Sequence, residues 1–267
     1  MKKNPAFHIK DLVVFFKEAK NYFMSREILL AMDFSTRFRS LALWDMNANC
    51  LLDCAIMDID YNNQPSGAIS VNQEQGGICA VINNILIKNG LEDNSVSVLS
   101  LGIGPGSYTG IRTSISFAQG WSLALGIHLL PINSVEALAL QAGKLFSNNE
   151  FHLVVDAQRN EFYHAVYRKN NDEKNVIPEL IQPLEIISKQ EINIFIEKKL
   201  PVLGPELENI LPSVTALYPL ASDIAFLAAN LLQQKGENAF QSPESITPIY
   251  LRPVQFVKTK TTRVLSI

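Results

Sequence analysis

A chain of 267 residues, 47% hydrophobic and 18% charged, has enough apolar content for a substantial core and suits one large domain or two of modest size. A net charge of -3 argues against autonomous binding of nucleic acid, whose phosphates require a basic surface, so any work on RNA needs a partner that supplies positive charge. The odd set Cys50, Cys54 and Cys79 contains no CxxC pair, and no run reaches the ~18 apolar residues of a membrane span; a cytoplasmic, reducing location is expected.

In chain order, residues 1–26 look detached from the rest of the chain, with Ile9, Leu12, Val13, Phe16, Ala19 and Phe23 on one face of a short helix. Met24 immediately precedes the first convincing strand, and translation is expected to start there. The run ILLAM (28–32) reads as a strand buried on both faces, ending in Asp33, and a returning strand at 40–44 makes a hairpin. Residues 58–73 are polar and loop-like, and a helix comes next over about 74–89, stopped by Gly90. That helix is apolar nearly all round, which predicts that more than one of its sides is covered.

The segment VLSLGIGPGSYTGIRTSISFAQGWSLALG (98–126) organises the chain. It is a buried strand, a turn containing Gly102, Gly104, Gly106 and Gly110, and an amphipathic helix over about 111–125 that Gly126 stops as an αL cap. A glycine-rich turn at a helix start exposes several backbone N–H groups, so it is either an anion cradle or a close backbone contact. A strand at 128–132 and a helix from Ser134, taken as its N-cap, come next.

HLVVDAQRNEFYHAVY (152–167) then repeats the layout of ILLAMDFSTRFRSLALWD: strand, Asp, short polar turn with an Arg, returning strand. Such self-similarity points to an internal duplication. Beyond it the pattern predicts strand-like pieces at 177–187 broken by Pro178 and Pro183, a helix at 188–199, a short strand at 201–203, and a helix at 222–234 capped by Ser222. The basic end carrying Lys258, Lys260 and Arg263 reads as solvated.

The residues permit little autonomous chemistry. His8, His128, His152 and His164 show no metal-ligand spacing, and no GxSxG elbow surrounds Ser107. A nucleotide site would draw on Asp33, Ser35, Gly104, Gly106, Ser107, Thr109 and Asp156. However, the turn lacks the lysine of a Walker A motif, and Phe34 and Ser35 stand where a phosphate would need a glycine. The helices instead favour a partner. Projected at ~100° per residue, Ile111, Ser114, Ile115, Ala118, Trp121 and Ser122 share an arc broader than one sheet requires. With Ile78, Ile82 and Ile85 of the preceding helix, that arc is the expected partner interface.

The blocks Asp33–Phe34–Ser35, GIGPGSYTGIR (102–112), Ala118–Gln119–Gly120, Asp156–Ala157–Gln158–Arg159 with Glu161 and Tyr163, and Pro248, Tyr250, Leu251 and Arg252 occur in an order that resembles the TsaB family, formerly YeaZ. The resemblance covers residues 27–253, and GPGSYTGIR is its most diagnostic part. It implies an α/β, actin-like (ASKHA, ribonuclease H-like) fold of two duplicated halves, placed at 27–133 and 134–253, between the extension 1–26 and a tail 254–267. It further implies a non-catalytic subunit of the tRNA threonylcarbamoyladenosine machinery. Such a subunit pairs through a helical bundle with its paralogue, the TsaD-like transferase, and the TsaE-like ATPase joins them. tRNA would be met only through the complex, no cofactor or metal would be required beyond weak nucleotide binding, and the free chain would self-dimerise. One departure stands out: Glu74, Gln75 and Gly76 replace the His-Ser-Glu block usual in the family. The competing reading is an autonomous actin-like ATPase or kinase using Asp33, Asp156 and the turn from Gly102 to Gly110.

Overall fold

The computed structural model describes residues 27–58, 77–146, 150–170 and 176–251. The 1–26 extension with Met24, the Glu74–Gln75–Gly76 departure and the tail from Arg252 onward lie outside the described residues. Strand β1 (Ile28–Asp33) is buried along its whole length, as a continuous apolar run requires of a central strand. It pairs antiparallel with β2 (Phe38–Asp45), which pairs antiparallel with β3 (Cys50–Asp58). On its other side β1 pairs parallel with β4 (Val96–Gly102), and β4 with β5 (His128–Ile132), giving the order β3-β2-β1-β4-β5.

The second sheet contains β6 (Glu150–Asp156), β7 (Glu161–Arg168), β8 (Glu179–Ser188), β9 (Val202–Gly204) and β10 (Thr215–Ala216). Its order, β8-β7-β6-β9-β10, repeats the first sheet strand for strand, with the same antiparallel and parallel neighbours. The duplication extends to the turns after the first strand of each sheet. Ser35 N donates to Asp33 Oδ1 at 2.8 Å, and Gln158 N donates to Asp156 Oδ1 at 2.7 Å. Each is an Asx turn closing on the residue two positions ahead.

The helices complete five layers. Helices α1 (Ile78–Lys88) and α2 (Tyr108–Leu125) cover one face of the first sheet, where Ile82, Ile85, Ile111 and Ala118 pack with Leu30 and Met32. Helix α3 (Ser134–Leu145) lies between the sheets, giving Ala137 and Leu140 to the core on the other face of the first sheet and Leu138, Ala139 and Ala142 to the core of the second. That other face of the first sheet also packs on α5 (Ala221–Lys235) through Ile224, Ala225 and Ala228. The far face of the second sheet is closed by α4 (Lys189–Glu197) and the 207–214 segment. The sequence boundary at 133/134 is therefore not a boundary in space, because α5, from the second half, seals the first sheet.

Several local expectations change. Helix α2 begins at Tyr108, three residues early, because Ser107 is its N-cap and accepts from Gly110 N at 3.2 Å. Asn133 rather than Ser134 caps α3, freeing the Ser134 hydroxyl for another bond. Helix α5 starts at Ala221 with Leu220 in the cap position, so Ser222 is not its cap. Strand β8 runs through Pro183 because it is an edge strand and its pairing register shifts there, so no ladder hydrogen bond is lost. Strand β3 escapes a pattern-based reading because its edge position leaves a mixed sequence, CLLDCAIMD, without clean alternation.

Candidate functional site

The glycine turn is a backbone contact, and its donors are turned inward. Ser107 N donates to Ser35 O (2.6 Å), Gly104 N to Ser134 Oγ (3.1 Å) and Ile103 N to Ile132 O (2.9 Å). A Cβ on Gly106 would run into the Ser35 carbonyl, and one on Gly110 into that of Phe34. The glycines thus let α2 start against the β1–β2 turn, and the N–H groups of Ile103, Gly104 and Ser107 are committed within the protein. Asp33 is fully buried, accepting from Ser35 N, from Ser35 Oγ (2.6 Å) and from Ser134 Oγ (2.6 Å). Burial pushes its carboxyl above the ordinary range, against those hydrogen bonds, which favour the anion. A carboxylate sealed in this way cannot reach a metal-bound phosphate.

The two Asx turns face each other across a cleft of about 1230 Å³ between the lobes. Of the expected nucleotide residues, Ser35, Gly106, Ser107 and Asp156 line it; Asp33, Gly104 and Thr109 do not. Asp156 accepts from both the backbone and the side chain of Gln158. At the cleft mouth Arg112 stacks on Tyr108, its guanidinium carbon 3.6 Å from the ring centroid, and donates to the Tyr250 hydroxyl at 2.7 Å. The lobes are tied beside the cleft by Arg37, whose backbone N–H donates to Glu206 and whose guanidinium donates to the Tyr218 hydroxyl at 2.7 Å. Glu206 and Tyr218 are far from Arg37 in sequence, as Tyr250 is from Arg112, so only the fold reveals these pairs.

The helix faces differ from the expected interface. Ile82, Ile85, Ile111, Ser114, Ile115 and Ala118 are buried in the protein's own core, because the strongest apolar stripe of a helix turns to the sheet beneath it. Ile78, Trp121 and Ser122 are partly exposed, and the Trp121 ring stacks near Phe117 with centroids 5.1 Å apart. The polar side of α2 is occupied too: Gln119 donates to Pro243 O at 2.8 Å and Arg112 to Tyr250, so the 240–251 segment straps that side. What remains open is the stripe Thr109, Thr113, Ser116, Gly120 and Leu123, with Leu123 89% exposed. Ile87 on α1 is 64% exposed. Sequence reasoning misses this stripe because it is small rather than apolar; the signal is a glycine in mid-helix.

Elsewhere, His152 and His164 meet at 2.9 Å (Nδ1 to Nε2) beneath Phe195, brought together by the β6–β7 register. Burial pushes both imidazoles down to about 4. Among the described residues no group of three or more His, Cys, Asp and Glu side chains is placed to hold a metal, and no helix is long and apolar enough to cross a membrane.

Two lobes with the same β3-β2-β1-β4-β5 plan, closing on a cleft between their first-strand turns, define the actin-like α/β class. The family model for TsaD, tRNA N6-adenosine threonylcarbamoyltransferase, matches residues 72–226. The tRNA threonylcarbamoyladenosine biosynthesis protein TsaB of Escherichia coli K12 is 24% identical over 84% of this chain and 94% of its own length. TsaB from Buchnera aphidicola of Acyrthosiphon pisum is 30% identical over 61% of this chain and 84% of its own. The structure of YeaZ from Pseudomonas aeruginosa superposes with a TM-score of 0.63 at 21% identity, covering 84% of this chain and all (100%) of the other. The chain belongs to the TsaB (YeaZ) family.

Proposed function

We propose that this protein is a non-catalytic subunit of the tRNA threonylcarbamoyladenosine-forming machinery, which pairs with a TsaD-like transferase through the open face of α2 and the exposed Ile87 of α1. The role in biosynthesis is carried over from the names of its TsaB relatives. The observation that carries the pairing is Gly120. It sits inside an 18-residue helix, exposed, and a Cβ there would meet nothing within 4 Å. A mid-helix glycine costs roughly 0.5–1 kcal/mol relative to alanine, and nothing among the described residues needs the missing side chain. A helix from outside, packing closely over Thr113, Ser116 and Gly120 with Leu123 at the edge, would use it.

A non-catalytic role agrees with the sealed Asp33, which also weighs against the ATPase reading. A TsaE-like ATPase and tRNA would join through the complex, and the free chain would self-associate through the same face. Co-expression with TsaD of the same organism tests the proposal. A stable complex, together with loss of the modified nucleoside on depletion, is expected; absence of both rejects it.

A further inference from the structure

We propose that Arg37, gripping Glu206, Glu208 and Tyr218, is a latch that holds the two lobes at one angle, so that the lobes turn against each other only when these bonds break. The connection at 217–220 carries the chain from β10 in the second sheet to α5, which packs on the first sheet. Its two ends are tied to different lobes. Leu217 N donates to Gly204 O of β9 at 3.2 Å, and Ala221 N donates to Ser40 Oγ of β2 at 2.8 Å. A rotation of one lobe against the other is therefore absorbed in part at Tyr218, Pro219 and Leu220, the short stretch between those anchors.

Tyr218 is the residue the latch holds. Its hydroxyl accepts from Arg37 Nη2 at 2.7 Å and donates to Glu208 Oε1 at 2.8 Å. Its carbonyl accepts from Gln141 of α3 at 2.6 Å, and its ring meets Phe38 edge-on with centroids 4.3 Å apart. Burial, together with the bond to Glu208, pushes the hydroxyl up to about 12, so it keeps the proton it donates. Arg37 comes from the β1–β2 turn of the first lobe, whereas Glu206 and Glu208 come from the segment after β9 in the second. The Arg37 backbone N–H donates to Glu206 Oε1 at 2.6 Å, and Nη2 lies 3.4 Å from Glu208 Oε1.

The backbone adds a second observation. Glu206 has a φ of 59°, a left-handed conformation that residues with side chains rarely adopt. Such strain persists where the surroundings over-determine it. A glycine would adopt this φ freely but could not reach Arg37; a glutamate accepts the strain and makes the bond across the lobes. The Arg37 and Glu208 side chains are 32% and 44% exposed, so water can replace their bonds and the latch is releasable.

The test uses the isolated full chain and so does not depend on pairing with TsaD. Spin labels are placed on Cys50 of the first lobe and, through Lys198→Cys, on the second, both exposed positions, with Cys54→Ala and Cys79→Ser removing the other thiols. Dilution with unlabelled protein restricts the pulsed electron-resonance distances to one chain. The labelled parent should give a single narrow inter-lobe distance. Tyr218→Phe and Glu206→Gly, each added singly, should raise the population of a second distance roughly tenfold. Glu206→Gly should do so with an unchanged or higher melting temperature, because it relieves the left-handed strain; a contact that served only stability would lower the melting temperature and leave the distance alone. A broad distribution in the parent, an unchanged distribution in either variant, or a fall in the melting temperature of Glu206→Gly would each overturn the proposal.

Discussion

Gly120→Ala separates stability from association. The new methyl group enters open space, since a Cβ there meets nothing within 4 Å. The isolated chain therefore gains helix propensity, about 0.5–1 kcal/mol, and its melting temperature should rise by about 1–4 °C for a chain of this size. If a partner helix packs over this position, the same methyl group overfills the contact at a cost of about 1–3 kcal/mol, weakening the complex about 5- to 150-fold. Differential scanning calorimetry of the free chain and calorimetric titration with TsaD read the two effects independently. An alanine variant that is more stable and pairs with unchanged affinity would refute close helix packing at Gly120. The matched control is Gly110→Ala, whose methyl group would collide with the Phe34 carbonyl; it should destabilise the free chain by about 3 kcal/mol.

Leu123→Asp, at an 89% exposed position, should leave the unfolding free energy of the free chain within about 0.5 kcal/mol while reducing TsaD capture in a pull-down. Ile115→Asp, by contrast, places a charge in the core and should abolish soluble monomer, as size-exclusion chromatography would show. Ser134→Ala removes a donor from buried Asp33 and should cost about 1–3 kcal/mol in urea unfolding. His152 and His164 have folded values near 4 against an ordinary 6.5, so the unfolded chain takes up protons first. Stability should therefore be complete above about pH 6.5 and fall as the pH drops toward 4. His152→Gln should flatten that fall in urea titrations at stepped pH; an unchanged slope would contradict the assignment.

How much was legible depended on which interactions a linear pattern records. The ILLAM run, the glycine-to-helix transition and the paired strand–Asp–turn segments are local, and the fold follows them down to the matching Asx turns of Asp33 and Asp156. Helix periodicity located the apolar stripe of α2 but could not say what lies against it. The sheet claimed Ile111, Ile115 and Ala118, and the strap claimed Arg112 and Gln119. The open face showed only as a lack of side chain at Gly120. The two histidines stand twelve positions apart and meet solely because Val154 pairs with His164 and His152 with Val166.

The position of α5 bears on how the chain is made. Leu29, Ala31 and Ala42 of the first sheet are covered by Ala225, Ala228 and their neighbours, which leave the ribosome long after β5 is complete. Until then the first half carries a bare apolar sheet face. The core on that face of the first sheet is shared between the halves, so a fragment ending near residue 133 should aggregate, and the intact protein should melt in a single transition. Duplication supplied two similar halves, and the placement of α5 made them one cooperative unit whose first half waits for its second.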